Sequence, residues 1–75
     1  MINLVIDNYP VLDVESMTVC TEFSIDSDKE ISISINNSII LNKNHIFNVE
    51  DNIIELINDI EIYKEDILAV IYNKI

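Results

Sequence analysis

The sequence predicts an α+β domain. An antiparallel sheet of three to five short strands, over about residues 2–47, is expected to be packed by one long or two short helices over about residues 49–74. Three observations predict it. Apolar and polar residues alternate with a period of two from Met17 to Ile25 and again from Ile31 to Ile35. Apolar residues recur every three or four positions from Ile53 to Ile71. The strand-like runs come first and the helix-like run last, the order of a sheet covered by helices on one face.

The elements follow in chain order. Ile2 to Ile6 is a short apolar strand candidate. "DNYP" reads as a turn, because Pro10 fixes φ and cannot sit in a central strand. "VLDVE" is a second strand or an extended edge. In the next run Met17, Val19, Thr21, Phe23 and Ile25 share one face, and Thr18, Cys20, Glu22 and Ser24 the other. "DSDKE" ends that strand with charge, and "ISISI" alternates more strictly still. With Thr18, Cys20, Glu22, Ser32 and Ser34 on its polar side, the sheet would face water or a partner there.

The chain has no glycine, so turns that need positive φ must use asparagine or aspartate. At Asn36-Asn37 two demands conflict. A two-residue type I′ turn suits the asparagines but sets Ile35 opposite Ser38. A three-residue loop sets Ile35 opposite Ile39 and Ile33 opposite Leu41. A one-residue slip turns a whole face over, so burial favours the longer loop.

Asn48 is placed to cap a helix whose first turn carries Glu50 and Asp51. Ile53, Leu56, Ile57, Ile60, Tyr63, Ile67, Val70 and Ile71 then form one apolar face. Two residues spoil it, since Ile62 would face outward and Lys64 inward. Either one helix runs from about Val49 to Asn73 or it breaks near Ile62, and the break is preferred because longer helices are unusual in so small a domain.

Seventy-five residues make a single domain, residues 1–75, near the lower limit for independent folding. One cysteine excludes an internal disulfide, and one cysteine with one histidine leaves no zinc set. With 49% hydrophobic residues and an excess of isoleucine, a dense core or self-association must supply the stability, so a homodimer is one expectation. Fourteen acidic residues against 4 lysines give a net charge of −10. Direct binding to nucleic acid or to an anionic membrane is therefore disfavoured, and a basic protein partner is favoured. "MINLVID" has no basic start and no long apolar stretch, and no segment is long enough to span a bilayer. The chain reads as cytoplasmic, and its wealth of Ile and Asn codons points to an A/T-rich bacterial or phage genome.

Catalytic and metal motifs are weak. Asp26-Ser27-Asp28-Lys29-Glu30 resembles the opening of an EF-hand loop, but Ile31 stands where that loop needs glycine and Asn37 where it needs glutamate. A charged turn is the simpler reading. Nothing brings Cys20 and His45 together as nucleophile and base. Without glycine there is no phosphate-cradling loop. No enzyme activity, no cofactor and no metal are expected.

The acidic surface remains. On the expected helix Asp51, Glu55, Asp59, Glu65 and Asp66 form one outward strip, and Asp26, Asp28 and Glu30 a second cluster. Like charges four apart repel by a few tenths of a kcal/mol per pair, and only Lys64 and Lys74 are at hand to relieve them. A cationic partner would relieve them and would also meet the chain faster. In charge and size the chain resembles small acidic inhibitors that occupy nucleic-acid-binding surfaces, such as phage anti-defence and anti-CRISPR proteins. That resemblance implies a non-enzymatic inhibitor of a nuclease or other nucleic-acid-handling protein, bound through these eight carboxylates. An immunity protein or antitoxin for a basic toxin, and a structural homo-oligomeric module, are the alternatives.

Overall fold

No helix forms between residues 49 and 74: this segment is strand, turn, strand, loop, strand. The computed structural model describes residues 3–75. It has eight strands: β1 Leu4–Asn8, β2 Val11–Asp13, β3 Thr18–Cys20, β4 Ser32–Ile35, β5 Ile39–Leu41, β6 Ile46–Glu50, β7 Ile53–Leu56 and β8 Leu68–Asn73. Among the described residues the one helical element is a single 3-10 turn at Lys43–His45. The strands make two four-stranded antiparallel sheets, ordered β1-β8-β4-β5 and β2-β3-β7-β6. The expected α+β class is therefore replaced by an all-β sandwich, and one sheet plus helices by two sheets. Ile2, included in the first strand candidate, lies outside the described residues.

The physical reason lies in the apolar density of the C-terminal segment, which satisfies both periods at once. Two kinds of evidence separate them. Ile53, Ile67 and Ile71, assigned to the helical core, are exposed, whereas Ile62, the residue that spoiled the helical face, is buried. Burial in β7 and β8 instead alternates: Ile54 and Leu56, then Leu68, Val70 and Tyr72, face in. The segment is also rich in isoleucine, whose branched Cβ is stiff in a helix and packs well on a pleated sheet. Asn48, expected as a helix cap, is exposed in β6 beside an irregularity between Ile46 and Asn48.

The first sheet is held by β8 in its centre, paired with β1 on one side (Asp7 opposite Val70) and β4 on the other (Ile33 opposite Val70). At the β4–β5 hairpin Ile35 faces Ile39 and Ile33 faces Leu41, the three-residue register that burial favours. Asn36 and Asn37 still both adopt positive φ, 52° and 61°. Longer loop and asparagine turn chemistry are thus reconciled. Asp51 takes the same role at the two-residue β6–β7 turn, φ 56°, but Tyr9 and Met17 also have positive φ, without the local hydrogen bonding that suits asparagine and aspartate to it.

Inside, Tyr72, Ile31, Ile33, Ile35, Ile54, Val19 and Val70 are fully buried in one cluster that joins both sheets. Each aliphatic side chain so buried stabilises by about 1.5–3 kcal/mol. The strand expected through Ile25 ends at Cys20, although Val19, Thr21 and Ile25 keep the inward alternation and only Phe23 breaks it. Thr18, Cys20, Ser32 and Ser34 do not share a face as expected: the first two lie on one sheet and the last two on the other. A radius of gyration of 11.2 Å equals the roughly 11 Å of a compact body of this length. No helix of the described residues is long and apolar enough to cross a membrane.

Candidate functional site

The eight expected partner-binding carboxylates do not form a strip, because the helix that would align them is absent. Glu55 is half-buried on the outer face of β7, between Thr18 of β3 and Asn48 of β6. Asp59, Glu65 and Asp66 lie in the connection from β7 to β8. Asp66 is engaged internally: one oxygen accepts from Asn36 Nδ2 at 3.1 Å and the other from Tyr63 N at 2.9 Å. Ile67 N donates to Asn36 Oδ1 as well, so this pair clasps the connection onto the β4–β5 turn.

Asp51 moves to the second cluster. Its carbonyl accepts from Ile25 N at 2.8 Å and its side chain from Ser24 Oγ. The β6–β7 turn is thereby set against the segment carrying Asp26, Asp28 and Glu30. Asp26 Oδ1 accepts from Asp28 N at 3.1 Å, closing the charged turn. Asp28 and Glu30 are exposed. Lys43 Nζ donates to the Ser27 carbonyl within this turn, and Lys74 Nζ sits 4.5 Å over the Phe23 ring.

A cleft of about 380 Å³ opens where β1 crosses to the second sheet, lined among others by Asp7, Tyr9, Cys20, Glu22 and Asn52. The local sequence explains its walls. Pro10 ends β1 and turns the chain across, leaving Tyr9 78% exposed at φ 65°. Thr21 and Asn52 lock the opposite wall by paired bonds, Thr21 N to the Asn52 carbonyl and Asn52 Nδ2 to the Thr21 carbonyl, each 2.9 Å.

Asp7 forms the floor and is only 8% exposed. Its Oδ2 accepts from Glu22 N at 2.7 Å and from Tyr72 Oη at 2.9 Å, while Tyr72 Oη accepts from Phe23 N at 3.2 Å. Among the described residues nothing donates to Asp7 Oδ1, yet no buried side-chain polar atom is left without a partner. Oδ1 is therefore the atom that meets the cleft. Burial pushes the Tyr72 phenol above its ordinary range, and the neighbouring Asp7 carboxylate adds to the rise despite the Phe23 amide. Tyr72 is thus a fixed donor.

Sequence reasoning missed Asp7, Tyr9 and Glu22 as one site. The pattern of "LVID" actively misleads, because Leu4 and Ile6 look like the core face. They are exposed, and Asp7 is inside with Val5 half-buried. Among the described residues no group of three or more metal-ligating side chains is assembled, and Cys20 is a half-buried free thiol. The arrangement offers an acidic, aromatic-edged recess. No family model matches the chain, nor does any curated protein or solved structure.

Proposed function

We propose that this chain is a non-enzymatic acidic inhibitor that binds a basic, nucleic-acid-handling protein in the cytoplasm of a bacterial or phage-infected cell. The observation that carries this reading is the excess of carboxylates over cationic side chains. Fourteen carboxylates face 4 lysines, and two of those lysines are turned to a carbonyl and an aromatic ring. Uncompensated surface charge costs little when a cationic surface supplies the counter-charge, and it accelerates encounter. Asp26, Asp28, Glu30 and Asp51 gather around one turn pair, and Asp59, Glu65 and Asp66 along the β7–β8 connection, so the negative potential is patchy rather than linear.

The test uses exposed residues that hold nothing else in place. Asp28→Lys, Glu30→Lys, Asp59→Lys and Glu65→Lys together should abolish capture of the partner with the fold unchanged by circular dichroism. Binding by the parent chain should weaken steeply as salt rises. Tight capture at high salt would overturn the reading.

One observation favours a second reading, a homo-oligomeric module. The outer face of the first sheet carries Leu4, Ile6, Ile40 and Ile71, all exposed, with only Asn8, Asn73, Ser32, Ser34 and Ala69 between them. Among the described residues of these strands no charged side chain stands on it, although the chain is rich in charge elsewhere. A dimer that persists in high salt and dissociates on Ile6→Lys, by light scattering, would support it.

A further inference from the structure

We propose that the cleft floored by Asp7 is a receptor for a single cationic side chain, a guanidinium or ammonium group presented by the partner. The inference rests on the partner reading above for its biological occupant, and adds the place and the chemistry of the contact.

Three features of the cleft fit that group. Asp7 is more than nine-tenths buried, and one carboxylate oxygen is left for the cleft after the other has taken two hydrogen bonds. That oxygen is open to the cleft, and a cationic donor reaching it would form a charge-assisted hydrogen bond. Glu22, an exposed residue, also lines the cleft and adds a second negative charge near Asp7, to which its backbone N–H is fixed. Tyr9 also lines the cleft, and a cation set over its exposed ring would gain from the ring quadrupole. Two carboxylates and one ring match a planar, multi-donor guanidinium better than a compact metal ion. They also differ from a metal set, which the described residues do not assemble.

The remaining lining supports the choice. Asn8, Val11, Thr21 and Asn52 are neutral, and no lysine borders the cleft. An anion entering it would meet two like charges, and an uncharged ligand would leave Asp7 Oδ1 no better satisfied than water does. The recess, about 380 Å³, lies in the size range of small-ligand sites.

The experiment titrates the ¹⁵N-labelled full chain with N-acetyl-arginine methylamide, and in parallel with the citrulline analogue, which keeps the shape and loses the charge. Saturable amide shifts should centre on Asp7, Asn8, Glu22 and Asn52 with the arginine probe and be nearly absent with citrulline. Glu22→Gln, on an exposed side chain, should weaken binding about tenfold, the loss expected for one charge-assisted contact. Asp7→Asn should do the same or more, since its amide oxygen still accepts from Tyr72 and Glu22 and keeps the floor in place. Equal binding of citrulline would overturn the inference. So would shifts spread evenly over Asp28, Glu30, Asp59 and Glu65, or unchanged affinity in variants with native spectra. If the cleft fails while capture of a basic partner stays salt-sensitive, only this inference falls. If arginine binds while capture ignores salt, the partner reading falls and the cleft stands.

Discussion

Tyr72 Oη lies 2.9 Å from Asp7 Oδ2, a bond that spans 65 positions of sequence and joins the neighbouring strands β8 and β1 inside the core. The Tyr72 side chain is fully buried, and its oxygen also accepts from Phe23 N. One phenol therefore holds β1 and the start of the β3–β4 connection at the floor of the cleft. Tyr72→Phe leaves the Phe23 amide without this partner and Asp7 with one donor fewer. Leaving buried polar groups unpaired costs about 1–3 kcal/mol. Urea denaturation should show that loss as a lower midpoint with an unchanged slope.

Alkaline pH should act through the same group. The phenol's pKa is raised in the folded chain, by burial first and by Asp7 after it. The unfolded chain therefore loses this proton at lower pH than the folded chain does. Stability linked to the phenol is complete below its unfolded value of about 10, and it declines as pH rises through the folded value. Thermal midpoints measured from pH 8 to 11 should fall on the alkaline side, and Tyr72→Phe should flatten that fall.

Acid acts at the β2–β3 turn with the opposite sign. Asp13 Oδ1 accepts from Ser16 N at 3.3 Å and from Glu15 N at 3.0 Å. These bonds, Ser16 first, hold its carboxyl below the ordinary range. A carboxyl depressed by folding gives stability that is present above its unfolded value of about 4 and is lost as pH falls through the folded one. Asp13→Ala should lower the thermal midpoint at neutral pH and leave it almost unchanged well below pH 3. A variant equally weakened at both would show that the turn, not the charge, matters.

The β4–β5 hairpin was legible in the sequence and the C-terminal segment was not. "ISISI", two asparagines and "IIL" determine a register because only one pairing puts Ile33 and Ile35 opposite apolar residues. Between Ile53 and Ile71 nearly every third and every second residue is apolar, so local spacing fits helix and strand alike. What decides is non-local: β8 is the central strand of a sheet, bonded on both sides to β1 and β4. Two local signs were nonetheless present. Asp51-Asn52 between "FNVE" and "IIEL" is turn chemistry for a hairpin, and the misfit of Ile62 on the helical face marked the wrong period. The cleft was illegible because its floor, rim and wall come from Asp7, Tyr9 and Glu22, which only the crossing of β1 into the second sheet brings together.

The clasp between Asn36 and Asp66 is open to direct trial. Asn36 Nδ2 donates to Asp66, and Asn36 Oδ1 accepts from Ile67 N. Asn36 also needs positive φ. Asn36→Gly keeps the positive-φ backbone and loses both side-chain bonds, with glycine's freedom in the unfolded chain adding about 0.5–1 kcal/mol to the loss, so local amide exchange is the readout specific to the clasp. Exposed hydrogen bonds such as these, one to a carboxylate and one between neutral groups, contribute about 0.5–1.5 kcal/mol each. A fall of about 1–2 kcal/mol from the bonds is expected on that basis, with faster amide exchange along residues 63–67. Unchanged exchange there would mean the connection is held by the Asn36 N–Ile67 carbonyl bond, which the variant keeps, and by the burial of Ile62.

Tyr9 sets stability against binding. A left-handed backbone costs a residue with Cβ about 1–2 kcal/mol, and its proline neighbour already restricts it. The ring is 78% exposed, so it returns little packing for that strain. Tyr9→Gly should relieve the strain, while the greater freedom of glycine in the unfolded chain takes back about 0.5–1 kcal/mol. The net expectation is a chain slightly more stable, by about 0.5–1 kcal/mol, read by denaturant midpoint. The same variant should bind the arginine probe more weakly, because the aromatic rim is gone. Strain kept at an exposed ring that fills no core is what a contact surface would retain and a purely structural turn would not. A Tyr9→Gly chain that is less stable, or that binds the probe as before, would show the ring to be a structural prop of the β1–β2 crossing.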